Sequence, residues 1–240
     1  MKWMMGAVLA LGLGGCSWQD DVKVSGAGAL VEQQHPLGRE VTRVLAGVPA
    51  NIQLVAGEAR GIHIRGQGNL LPYLTLSEED DKLEIEVKEG YRLAPSEPLE
   101  ITITLPELHE LALAGTGNGE LHDFKGNELV LSVAGTGDIV ASGLVLNRLE
   151  GNIAGLGNLD LGEGSVRAME LNIAGSGGVL GARLLSQEAE VNIAGSGEVE
   201  LRVQERLKIE IAGAGSVSYW GDPELKSEIA GSGQVSRLGS

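Results

Sequence analysis

The chain holds 240 residues, 37 of them glycine, with 42% hydrophobic and 3% aromatic residues and a formal charge of −15. A glycine share about double the usual one argues against a helical protein, and collagen is excluded because glycine does not recur at every third position. The apolar content suffices for a sizeable core, which excludes a fully disordered chain; the acidic balance argues against nucleic acid and against an anionic membrane surface as partners.

Residues 1–16 carry a single positive charge at Lys2, then an uninterrupted apolar run and small residues, the layout of a secretory signal. The run is about 13 residues, short of the roughly 20 that a membrane-spanning helix needs. Leu13-Gly14-Gly15-Cys16 resembles the lipobox of bacterial lipoproteins, and Cys16 is the sole cysteine, so it has no disulfide partner within the chain. The expectation is a signal peptide over 1–15, a lipidated Cys16 that holds the protein to the membrane, and a polar tether over 16–23. The competing reading is a free or structural cysteine in an ordinary signal. By resemblance to lipoprotein sorting, Ser17 implies the outer membrane of a Gram-negative cell.

Between residues 37 and 110, the stretches 51–55, 62–65, 74–77, 83–87 and 99–105 alternate or run apolar, as strands do. Gly66-Gln67-Gly68-Asn69-Leu70 after Ile62-His63-Ile64 echoes the glycine repeat found further on. These residues are predicted to be the irregular first coils of the architecture that follows, with longer loops around 78–82 and 89–98; a separate N-terminal β domain is the alternative.

From residue 111 onward the tetrapeptide Ala-Gly-x-Gly recurs, its first glycine at Gly115, Gly135, Gly155, Gly175, Gly195, Gly213 and Gly231, at intervals of 20, 20, 20, 20, 18 and 18. The residue before each alanine is apolar in every copy, from Leu113, Val133 and Ile153 to Ile229. A small or polar column precedes it, which includes Asn152, Asn172 and Asn192. After the glycines a polar column (Asn118, Asp138, Asn158) is followed by a mainly β-branched one (Ile139, Val179, Val199). Each repeat thus holds short strands bent at a glycine corner, where φ > 0 or close backbone approach is needed. A unit this short makes no core alone, but its apolar columns stack, which predicts an all-β, right-handed parallel β-helix with coils of 18–20 residues, spanning 24–240 as one domain. An antiparallel sandwich is the competing architecture; it would need no fixed register.

Val24-Ser25-Gly26-Ala27-Gly28, Gly68-Asn69-Leu70-Leu71-Pro72-Tyr73, Lys82-Leu83-Glu84-Ile85-Glu86-Val87 and the Ile-Ala-Gly-Ser-Gly series together resemble a bacterial family labelled "putative auto-transporter adhesin, head GIN domain". The resemblance covers roughly residues 24–240. It implies secreted or lipid-anchored parallel β-helices and an adhesion-type role, and it supplies no catalytic residues.

The chemistry-bearing residues are few. Asp138 and Glu198 are too sparse for a calcium β-roll, and no helix follows the glycine pairs to hold a phosphate. The column Glu120, Val140, Asp160, Leu180, Glu200 sets acids on alternate coils, about 9.6 Å apart by strand spacing, inside the window of an inverting glycosidase. A carbohydrate-active enzyme is therefore the alternative to a solvated face. His35, His63, His109 and His122 are dispersed, and His109 falls in the apolar column of Leu129 and Leu149 and is predicted to pack in the first coil. Asn152, Asn172 and Asn192 suggest an amide ladder. Tyr219 and Trp220 form the candidate binding patch, against simple capping of the last coil. Arg237, at a nominally inward position, would guard the C-terminal edge, or that coil would be buried in a homo-oligomer. The expected function is a lipid-anchored scaffold or binding module of the cell envelope, for a protein or polysaccharide ligand, with no catalytic residue, metal or cofactor.

Overall fold

The computed structural model describes residues 21–38 and 40–239. Among them the protein is strand and turn, with one 3-10 turn at Leu71–Tyr73 and no α-helix. Cys16 and the signal segment lie outside the described residues, as does the greater part of the tether. Its last two residues already belong to a strand, Val22–Ser25.

The regular coils have three sides, and the burial pattern shows why. In the strand Leu144–Gly155 the inward side chains are Leu144 and Leu146, then Leu149, Gly151 and Ile153. A step of three among steps of two turns the chain, and the ladder skips a residue at the same place, Leu146 pairing with Val166 and Arg148 with Ala168. Residues 149–154 make the first side, the strand Asn158–Leu161 the second, and the 144–146 positions the third. The pairings between these coils are parallel, and on the first side they stay in register, Ile153 opposite Ile173 and Ile173 opposite Ile193. The core is therefore a set of vertical apolar columns, with Leu131, Leu171, Val191 and Ile209 each fully buried. The β-solenoid is established, and the parallel ladder removes the sandwich. Where the repeat shortens from 20 to 18 residues, the register slips between Gly181 and Leu185, where the corner between the second and third sides loses residues, and slips back by one between Ser186 and Glu188 at the next corner. Ser186, fully buried beside that slip, donates its hydroxyl proton to the Arg202 carbonyl at 2.8 Å.

The early coils stack, but out of chain order. The strand Arg43–Gly47 lies between Lys82–Val87 and Glu110–Gly115, and Asn51–Ala56 lies between Glu100–Leu105 and Asn118–His122. The coil 43–56 is thus enclosed by one that comes later in sequence on each side. Beyond the outermost coil the sheets turn antiparallel. Leu74–Glu79 forms a hairpin with Lys82–Val87, and Gly61–Gln67 pairs with Glu100–Leu105 and then with the exposed strand Leu30–Pro36. The expected coil around residues 62–70 is corrected accordingly. Gly66 lies within an antiparallel strand, opposite Val31, instead of opening a corner, and a Cβ there would strike the Leu99 side chain. The loop expected around residues 78–82 is a tight hairpin turn with Asp80 at φ 54.

His109 also departs from expectation. Strand pairing begins at Glu110, so His109 is exposed and bonds Glu107 at 3.0 Å, while Leu108 takes the buried place beside it.

Candidate functional site

The glycine corners form the spine on which every surface column hangs. Gly155 pairs with Gly135 and Gly175, and the ladder carries the same alignment from Gly115 through Gly195 and Gly213 to Gly231. Gly155 has φ 130, and a Cβ there would collide with the Gly135 carbonyl oxygen one coil below. Close backbone approach and a left-handed φ are thus both required.

On the second side the outward residues Glu120, Val140, Asp160, Leu180 and Glu200 align in one column, as the spacing predicts. Two of the acids are already engaged. Glu120 meets His122 Nε2 at 2.7 Å, and Asp160 meets Arg183 at 3.5 Å. Val140 and Leu180, between the acids, are exposed. Next to this column runs a hydrogen-bonded ladder that sequence reading registered only as polar. Asn118 Oδ1 accepts the Asp138 amide N–H, Asp138 Oδ1 accepts that of Asn158, and Asn158 Oδ1 accepts that of Gly178. His122 also reaches Ser142 Oγ through Nδ1 at 2.5 Å; its signal in the sequence was the Glu-x-His spacing on a strand, which puts both side chains on one face.

The expected amide ladder is present on the first side. Asn172 Nδ2 donates to Asn152 Oδ1 at 3.1 Å, and Asn192 Nδ2 to Asn172 Oδ1 at 3.0 Å.

Where the third side meets the first, Ala168, Met169, Ala189 and Leu207 floor a groove of about 430 Å³. Its walls are matched charges. Arg148 bridges Glu128 and Glu170, Arg206 pairs with Glu188, and Lys208 lies 2.8 Å from both Glu190 and Glu210. Bonding to Glu190 and Glu210 raises the Lys208 ammonium well above its ordinary range, and Lys208 in turn lowers Glu210.

Tyr219 and Trp220 do not form one platform. As strand neighbours they point to opposite faces: Tyr219 is buried at the C-terminal end of the apolar column that includes Leu201, and Trp220 is half-buried outside, against Gly239. Arg237 stacks in register above Tyr219, exposed and paired with Asp222 at 3.0 Å. Among the described residues no three His, Cys, Asp or Glu side chains are placed to hold a metal, and no helix is long and apolar enough to cross a membrane.

A rigid three-sided solenoid with extended, internally paired faces defines the class of protein. The chain belongs to the family described as "Putative auto-transporter adhesin, head GIN domain", whose model matches residues 42–223. Among solved structures, one described as a "putative adhesin" from Bacteroides fragilis is 20% identical with a TM-score of 0.84, over 90% of this chain and 100% of that one. A Parabacteroides distasonis structure described as a "putative lipid binding protein" is 25% identical with a TM-score of 0.74, over 90% of this chain and 99% of that one. A third, described as an adhesin from Parabacteroides merdae, is 21% identical with a TM-score of 0.65, over 91% and 99%. No curated protein matches the chain.

Proposed function

We propose that the protein is a lipid-anchored, non-enzymatic binding module of adhesion type in the bacterial cell envelope, with a protein or polysaccharide as its ligand. Membership of a family described as adhesin heads carries this reading. The surface supports it: along the coils most charged side chains pair with one another and leave extended faces. Solenoids bind along extended faces. The second side, where Glu120, Asp160 and Glu200 alternate with exposed Val140 and Leu180 and Trp220 flanks the last coils, is the face assigned to the ligand. Cys16 is the outer-membrane anchor. The strand Val22–Ser25 begins six residues after it, so the start of that strand lies no more than roughly 20 Å from the anchored cysteine.

Two measurements test the reading. Cells fed an alkyne fatty acid should label the full chain and not the Cys16→Ser variant, which should also leave the outer-membrane fraction; an unlabelled parent chain removes the anchor. Immobilised full chain should bind saturably to one member of a panel of envelope polysaccharides, surface proteins and lipid vesicles, about tenfold more weakly after Trp220→Ala. Hydrolysis of a panel polysaccharide that disappears with Asp160→Asn would overturn the non-enzymatic reading.

A further inference from the structure

The two ends of the solenoid are finished differently. At the N-terminal end, antiparallel strands extend the first and second sides. At the other end the strands Glu224–Gly231 and Gln234–Gly239 pair only with the coil before them, and among the described residues nothing pairs with their outer edges. Arg237 and its Asp222 partner guard the second-side edge. The first-side edge carries a charged pair of its own, Lys226 with Glu228 at 3.2 Å on the outer face, but its core face is left open. Its inward residues are Leu225, Ser227 and Ile229, with Leu225 and Ile229 41% and 43% exposed, whereas Leu207 and Ile211 in the same columns one coil earlier are 1% and 2% exposed.

Backbone direction along this edge follows from its column. The Val130 amide N–H donates to the His109 carbonyl of the preceding coil at 2.9 Å, and Lys226 occupies the column of Val130. Lys226 and Glu228 therefore direct their amides back into the stack. The alternate residues Leu225, Ser227 and Ile229 present free N–H and C=O groups outward.

We propose that this edge pairs antiparallel with the same edge of a second copy of the chain, about a two-fold axis at Ser227. Ser227 then faces Ser227, and Leu225 faces Ile229 of the second copy, so the residues with outward backbone groups meet as hydrogen-bonded pairs. Between them Lys226 comes opposite Glu228 of the second copy, twice, at the closer spacing of non-hydrogen-bonded pairs. The sequence Glu224-Leu225-Lys226-Ser227-Glu228 favours this register, since an axis at Leu225, which would also set Lys226 opposite Glu224, would bring Pro223, with no N–H to give, opposite Ser227. An axis at Lys226 would oppose lysine to lysine and Glu224 to Glu228, and an axis at Glu228 would oppose two glutamates. The pairing is isologous and uses up the C-terminal edge of both copies, so the assembly closes as a dimer instead of running on as a filament.

Sedimentation of the full chain carrying Cys16→Ser, in a non-ionic detergent, should give a dimer. Because each substitution acts twice across the axis, Lys226→Glu or Glu228→Lys should raise the dissociation constant about tenfold, and the double reversal should restore it. Mild oxidation should cross-link a Ser227→Cys chain and leave Ser236→Cys, on the guarded edge, uncross-linked. A parent chain that is monomeric at about 100 μM, or dissociation constants indifferent to the charge reversals, would overturn the proposal.

Discussion

At the scale of single residues, the corners are the most demanding positions. Gly155→Ala must place a Cβ against the carbonyl of the coil below at φ 130, whereas Gly126 has open space around its Cα and no unusual φ. The first change should cost about 2–3 kcal/mol in urea unfolding and the second should stay within about 0.5 kcal/mol. Charged residues respond to acid. Hydrogen bonding to Arg43 lowers the Asp81 carboxyl, and Lys208 lowers Glu210. A carboxyl depressed in the folded state stabilises it above the unfolded value, and that contribution disappears as pH falls through the lowered folded value. The urea midpoint should therefore hold from pH 7 to about 5 and decline below about pH 4, less steeply in Arg43→Gln.

At the scale of strands and columns, what the sequence revealed was whatever repeats. The apolar and amide columns, the acids of alternate coils and the glycine corners all follow from a period that aligns like with like. Positions that depend on where pairing starts were hidden. His109 sits in an apolar column by arithmetic, yet the strand begins one residue later. Tyr219 and Trp220 read as a pair until strand alternation separates them. The antiparallel strands were found as strands, but their partners were not, because an alternating pattern such as that of residues 62–65 does not encode direction. The amide ladder gives this scale its test. Asn172→Ala removes a donor to Asn152 and an acceptor from Asn192, and should cost about 1–2 kcal/mol by denaturant unfolding.

For the whole molecule, stability is close to a sum over neighbouring coils. Removing residues after 215 deletes the last coil together with the second side of the coil before it and leaves Val199, Leu201 and Ile211 as the new end; the remainder should still fold, with strand-type circular dichroism and a lower urea midpoint. Removing residues 21–36 has a different effect, because it strips the exposed strand from Gly61–Gln67 and bares an apolar edge. That chain should aggregate, which light scattering would detect.

The enclosed coil 43–56 also fixes an order of events. Each coil after residue 110 can be laid onto a finished edge as the chain emerges, like a course of bricks. The coil 43–56 has no finished edge to join: its partners are residues 82–105 on one side and 110–122 on the other, all of them made later. Its strands must wait for about half of the chain before both flanks are filled. The slow step of folding is therefore assembly of this N-terminal block, with its long loop closures, and the growth of the regular coils is rapid templating that follows it.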